Sequence, residues 1–238
     1  MSLDSVAVIP ALDEEDAISG VVAGITPFVD AVVVADNGSR DRTAERAFAA
    51  GAHVTSEPER GYGAACLAGV ARARELGARC ILFLDGDGSD DPADARLLLA
   101  PVLEGSADLA LGSRAAALSE SGSMTVPQRF GNWLAPALLR LLLGARFKDL
   151  PPFKAIRTEA LVALDLKERT YGFTVELLAK AHARKLRVVQ RDVRCRARRG
   201  GSSKVSGTVS GTLRAGGRIL TTVGRISLAE RWRGRAGR

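Results

Sequence analysis

Short apolar runs alternate with amphipathic segments through the first half of this chain, and that rhythm leaves few folds open. Residues 6–10, 31–35, 53–56, 80–84 and 109–112 read as strands, and 14–24, 41–50, 62–76 and 92–103 as helices. Strands separated by single helices imply a mainly parallel sheet with right-handed crossovers, an α/β architecture. Helix starts are marked: Asp41 precedes Arg42-Thr43, and Asp91 precedes Pro92, an N-cap followed by proline at the first helical position. After Gly112 the rhythm loosens. A polar loop (115–125), a helix (128–143), a strand (153–156), a helix (174–184) and a strand (187–193) follow. Residues 194–207 turn to Arg, Gly and Ser and read as a basic loop, and 208–228 as a last helix weakened by four glycines. No repeat is visible, and 238 residues bury one sizeable core.

Charge is divided unevenly. Residues 184–238 hold 16 Lys and Arg against two acidic residues, while 1–183 hold 18 against 25. An acidic body with a cationic arm suits a metal site working beside a phosphate, or an anionic membrane surface. Nucleic acid is not expected as a partner, because aromatics are 5% of the chain and no stacking residues interleave the arm's arginines. Cys66, Cys80 and Cys195 are odd in number and widely spaced, which reads as buried thiols in a reducing cytoplasm. The N-terminus shows no basic segment followed by an apolar core. The longest helix-like apolar stretch, 133–144, contains Pro136 and Arg140 and falls short of the ~20 residues that span a bilayer. The expectation is a cytoplasmic protein, soluble or peripheral to the inner face of the membrane.

The chemistry gathers at strand ends. Cys80-Ile81-Leu82-Phe83-Leu84 reads as a strand buried on both faces, and Asp85-Gly86-Asp87 follows it. Gly86 lets the backbone turn so that two carboxylates spaced i, i+2 converge on one hard cation. Open α/β sheets keep ligands outside the carboxyl ends of their strands. A divalent metal there offsets the charge of a diphosphate. Pro10-Ala11-Leu12-Asp13-Glu14-Glu15 ends the first strand, either as an acidic first helical turn or as a loop touching a nucleotide. Asp36-Asn37-Gly38-Ser39 ends the second, as a turn or with Asp36 accepting hydrogen bonds from a base or ribose. Gly61 and Gly63 open a helix, either to receive an anion or to pack closely on the sheet. Arg114 ends a further strand and suits a bidentate phosphate contact. Glu176, one turn into a helix, is a general-base candidate or a helix-surface acid. His53 and His182 lack partner spacing and read as structural.

Two other readings fail. Residues 85–96 resemble a calcium loop superficially, but the sixth and twelfth places hold Asp90 and Arg96 where an EF-hand needs Gly and Glu. A haloacid-dehalogenase phosphatase needs its nucleophile on the first strand, which here ends in Pro10.

The ordered set resembles family-2 glycosyltransferases. Pro10-Ala11-Leu12-Asp13-Glu14 is similar to their P-x-x-N/D-E opening, and Asp36-Asn37-Gly38-Ser39-x-Asp41-x-Thr43 to their DDGS-x-D-x-T. Gly61 through Gly69 looks like their glycine-rich helix start, Asp85-Gly86-Asp87 their D-x-D, and Gly112-Ser113-Arg114 their GSR. The branch most resembled transfers sugars to dolichol or polyprenyl phosphate. It also shows an Arg near Arg129, a D…F-K/R-A-x-R like Asp149…Phe153-Lys154-Ala155-Ile156-Arg157, and a late SK like Ser203-Lys204.

That resemblance, over about residues 5–220, implies a GT-A fold, a Rossmann-like α/β/α sandwich. The glycosyltransferase domain would span 1–207, with a nucleotide-binding part to about 114, an acceptor part from 115, and a basic tail from 208. It implies inverting transfer of a sugar from a nucleoside-diphosphate sugar, with Mg2+ or Mn2+, to polyprenyl phosphate. The alternatives are a soluble small-molecule or peptide acceptor, or an inactive nucleotide-sugar-binding homologue. Nucleotide contacts would come from Pro10, Leu12, Asp13, Glu14, Asp36, Asn37, Ser39, Gly61, Asp85 and Gly86. Asp85 and Asp87 would hold the metal, with Asp91 standing in for the family's Gln, replaced here by Ser89. Arg114, Arg129, Lys154, Ser203 and Lys204 would bind donor or acceptor phosphate, and Asp87, Arg114, Arg129 and Glu176 would be the catalytic set. A sugar-1-phosphate nucleotidyltransferase shares the fold class but wants a basic, glycine-rich first loop, and this one is acidic.

Overall fold

The computed structural model describes residues 3–120 and 126–198, with Thr221 and Gly224; the side chains of 116, 117, 126–133 and 135 lie outside that description. Ser203, Lys204 and the expected tail helix fall outside the described residues, as does the side chain of Arg129. In chain order come β1 (Leu3–Ala11), α1 (Ile18–Ile25), β2 (Ala31–Asp36), α2 (Thr43–Ala49), β3 (His53–Ser56), α3 (Tyr62–Glu75) and β4 (Ala78–Phe83). Then follow α4 (Ala95–Leu103), β5 (Leu109–Ser119), α5 (Val126–Leu143), β6 (Lys154–Arg157), α6 (Thr158–Leu164), α7 (Phe173–Ala183) and β7 (Val188–Cys195).

The strands form one seven-stranded sheet in the order β3-β2-β1-β4-β6-β5-β7, parallel throughout except for β6. Alternate residues of each central strand feed opposite cores, as a two-residue period requires. Val6, Val8, Ile81 and Phe83 pack with Cys66 of α3 and Leu177 of α7 on one face. Ala7, Ile9, Cys80 and Leu82 pack with Ile18 of α1 and Leu98 of α4 on the other. The α/β/α sandwich expected from the sequence is the observed one. All three cysteines are free and buried. No helix of the described residues is long and apolar enough to cross a membrane.

Departures from the sequence reading have local causes. The helix expected from residue 14 starts at Ile18, because the Glu14 and Glu15 amides donate to Thr43 Oγ1 (2.8 Å) and Asp41 Oδ2 (3.1 Å). The N-cap of α2 falls one residue later than expected, on Arg42, yet Asp41 Oδ1 still accepts the Thr43 amide. Asp91 caps as expected, accepting the Ala93 amide at 3.1 Å, although the first turn is a 3-10 helix. Strand β5 overruns the expected loop as far as Ser119, because β7 pairs beside it through Arg114↔Val193 and Ser119↔Cys195. Helix α6, invisible in the sequence reading, is only seven residues long and stops at Asp165 in the left-handed region (φ 49°).

Candidate functional site

Strands β1, β2 and β4 run parallel in register, so the loops after Ala11, Asp36 and Phe83 leave the sheet at one edge. There they border a cavity of about 480 Å³. Pro10, Leu12, Glu14, Asn37, Gly61, Asp85, Gly86 and Asp87, all singled out in the sequence, line it. Ala11, Arg60, Tyr62, Ala65, Thr170, Tyr171 and Arg198 complete the wall.

The first two loops lock each other. Ser39 Oγ accepts the Asp13 amide (3.0 Å), and Asp13 Oδ1 accepts the Arg40 amide (2.8 Å), with Asp13 itself left-handed at φ 51°. Asn37 staples the third side: Nδ2 donates to Glu57 O and Glu59 O, and Oδ1 accepts the Gly61 amide at 2.7 Å. Asp13, Ser39 and the Asn37 side chain, expected to contact nucleotide, therefore build the platform. Asp36 differs. It is buried, Oδ2 accepts the Ser39 amide at 3.3 Å, and Oδ1 has no hydrogen-bond partner among the described residues. Asp36 is not among the residues bordering the cavity, and its orphaned oxygen is open to a water or to a ligand donor.

The loop after β4 concentrates negative charge. Asp85 and Asp87 both border the cavity, and Asp87 Oδ1 accepts the Ser89 amide at 2.9 Å. Burial, and then the Asp87 charge, push Asp85 up to about 6. Asp90, named in the sequence only as a misfit to a calcium loop, accepts the Asp85 amide at 3.0 Å, and burial and then Asp85 push it up to about 8. A carboxyl raised in the folded state lends stability below its unfolded pKa and loses it as pH rises through the folded value. Metal-free Asp90→Asn should therefore lose less Tm than wild type as pH rises from about 5 to 8. Parallel melting curves over that range would exclude an inward, charge-burdened Asp90.

No group of three or more His, Cys, Asp or Glu side chains among the described residues converges to hold a metal. Two oxygen donors facing one space do suit a hard divalent cation whose shell is completed by phosphate and water. A cation already stands there: the Arg198 guanidinium lies 3.5 Å from Asp87 Oδ2 and pairs with Glu14 Oε1. The donor set fits Mg2+ or Mn2+.

Several sequence expectations are corrected. Asp91 is not turned to a metal: buried, it pairs with Arg194 (3.0 Å) and Arg196 (2.8 Å). Arg114 grips Asp149 through Nε (2.7 Å) and Nη2 (2.9 Å) and donates to Leu150 O, where a phosphate was expected. Lys154, expected to bind phosphate, is wholly buried and donates to Pro151 O, Pro152 O and Thr174 Oγ1. At the glycine-rich start of α3, where an anion was one of two readings, backbone carbonyls take up two amides. Gly63 N donates to Thr170 O and Ala64 N to Arg169 O. A Cβ at Gly63 would stand 2.2 Å from Glu168 O, so close packing is what the glycine permits.

Glu176 is neither a cleft base nor a surface acid. It is 2% exposed, and Oε2 accepts the amides of Lys167 (2.8 Å) and Glu168 (2.7 Å) while Oε1 pairs with Lys180. It thereby anchors the loop that brings Thr170 and Tyr171 to the cavity. Glu176→Ala should cost about 2–4 kcal/mol by stranding two amides and a cation. Glu176→Gln, which still accepts both amides, should keep turnover within a few-fold. A turnover collapse in the Gln variant at unchanged Tm would restore the base.

Three comparisons bear on this arrangement. Residues 6–164 match glycosyl transferase family 2. An uncharacterized glycosyltransferase of Mycobacterium tuberculosis is 38% identical over 214 residues, covering 90% of this chain and 95% of the relative. An undecaprenyl-phosphate mannosyltransferase of Micrococcus luteus is 28% identical over 240 residues, covering 95% of each. Among solved structures, glucosyl-3-phosphoglycerate synthase of M. tuberculosis in complex with Mn2+ and uridine-diphosphate-glucose superposes with TM-score 0.71 at 25% identity. The match spans 93% of this chain and 79% of that one.

Proposed function

Because the chain belongs to glycosyl transferase family 2, we propose that it moves a sugar, with inversion, from a nucleoside-diphosphate sugar to a phosphate-bearing acceptor, most readily a polyprenyl phosphate. The observation that carries the acceptor class is the withdrawal of Glu176 from the cavity. Among the described residues, the carboxylates lining the cavity are Glu14, Asp85 and Asp87. Glu14 is ion-paired, and the other two form the D-x-D pair. A hydroxyl acceptor needs a base to remove its proton, whereas a phosphate arrives ionised.

In this reading Asp36 Oδ1 takes a hydrogen bond from the donor's base or ribose, beside Pro10, Leu12 and the Gly61 backbone. Asp85 and Asp87 hold Mg2+ or Mn2+, which when bound offsets charge on the diphosphate as it leaves. The acceptor oxygen forms its bond to the anomeric carbon as the bond to the diphosphate oxygen breaks, and that electron pair departs with the nucleoside diphosphate. The carboxylates are held by the sheet edge and the Asp90 contact, so little reorganisation accompanies the charge shift.

The lipid end of the proposal draws on the Micrococcus relative, named for undecaprenyl phosphate and matched over almost its whole length. The second reading, a soluble acceptor, draws on the glucosyl-3-phosphoglycerate synthase likeness. Transfer assays with UDP- and GDP-sugars and Mn2+ against polyprenyl phosphate, 3-phosphoglycerate and a neutral alcohol separate them. Turnover with the lipid phosphate is expected. Turnover confined to the neutral alcohol would overturn the anionic acceptor, and no transfer or donor hydrolysis with any sugar would favour an inert binding protein.

A further inference from the structure

The chain leaving β7 is tied down rung by rung. Arg194, Arg196 and Arg198, at i, i+2 and i+4, each pair with an acidic side chain of the neighbouring strand-end loops. Arg194 pairs with Asp94 at 2.7 Å, Arg196 with Asp91 at 2.8 Å, and Arg198 with Glu14 and Asp87. The Arg196 amide donates to Ser89 O at 2.8 Å, and Asp90 forms a β-bridge with Cys195. A basic stretch that reads as a loop is thus a track along the metal-binding loop, and it delivers its last arginine into the cavity.

We propose that Arg198 is the built-in counter-cation of the donor site: it neutralises Asp87 and Glu14 while the site is empty, then passes to the donor's diphosphate when a divalent cation takes Asp87. This rests on the proposed function. Two observations carry it. The guanidinium stands at 3.5 Å from a carboxylate oxygen of the D-x-D pair, so it and a metal compete for one charge. Its Nε, buried, has no acceptor among the described residues, so the fork retains a donor that an incoming oxygen can satisfy. A guanidinium displaced from one carboxylate matches phosphate oxygens with the same planar geometry.

The exchange predicts opposite signs in two binding measurements. Titrating Mn2+ alone into Arg198→Met by calorimetry should give about fivefold or more tighter binding than wild type, since the competing cation is gone. At saturating Mn2+, UDP or GDP (whichever wild type binds more tightly) should bind about tenfold or more weakly to the variant. Arg198→Lys should fall between on both. A residue that only shapes the site would weaken both together. Unchanged or weaker Mn2+ binding by Arg198→Met, in a protein that still binds the nucleotide, overturns the exchange and leaves the proposed function standing. If wild type binds neither nucleotide with Mn2+, the proposed function falls and takes this inference with it.

Discussion

Asp87→Asn should fold normally and transfer sugar about 10^3-fold more slowly than wild type at saturating donor. Asn keeps the Oδ1 that accepts the Ser89 amide, so the loop geometry survives and only the charge is removed. Asp85→Asn should behave alike in turnover and differ in stability. Asp85 is raised by burial and by Asp87, so its ionised form burdens the folded state near neutral pH. Removing that charge should raise Tm by about 2–4 °C, the shift that ~1 kcal/mol produces in a chain of this size. Stability gained while activity is lost marks a site arranged for a cation. The decisive check is turnover against Mn2+ concentration. An Asp87→Asn enzyme keeping more than about a tenth of wild-type turnover across the titration would remove the metal assignment.

What the sequence disclosed, and what it hid, follows from the range of the forces involved. Asp85 and Asp87 were legible because an apolar strand followed directly by two acids is a local pattern, and the parallel sheet carries it to the ligand edge. Strand His53–Ser56 was read with its observed bounds, since turn residues flank it on both sides. Which acid of the loop turns inward was not local. Asp90 faces Asp85 because its backbone bridges Cys195, more than a hundred residues away, while Asp91, equally buried, is paired by Arg194 and Arg196 of the same strand end. Glu176 and Lys154 were misjudged because a charged side chain is taken as exposed by default, and burial with hydrogen-bond partners elsewhere in the chain is invisible in spacing. The arginine track did leave a signal. Arg194-x-Arg196-x-Arg198 has a strand's two-residue period, but the glycines and serines after it suggested a loop.

Asp149→Ala should cost about 3–5 kcal/mol, the typical penalty for stranding one member of a buried ion pair. The Arg114 and Asp149 side chains are only 15% and 10% exposed, so solvent screens the pair little. Asp149 joins three structural lines: it accepts from the Arg114 guanidinium, the Arg114 amide and the Leu150 amide. The pair therefore ties the turn before β6 to the middle of β5, two strands whose paired register covers Leu109, Ala110 and Leu111. At roughly 2–4 °C per kcal/mol, Tm should fall by about 10 °C or more. The apolar double variant Arg114→Met with Asp149→Leu should recover much of that loss, because a buried pair replaced as a unit leaves no orphan charge. If Arg114 instead served the donor or acceptor phosphate, the pattern would invert: Asp149→Ala would stay near wild-type Tm, and KM for one substrate would rise. Melting curves and KM values on the three proteins decide between an arginine that braces the sheet and one that reads a ligand.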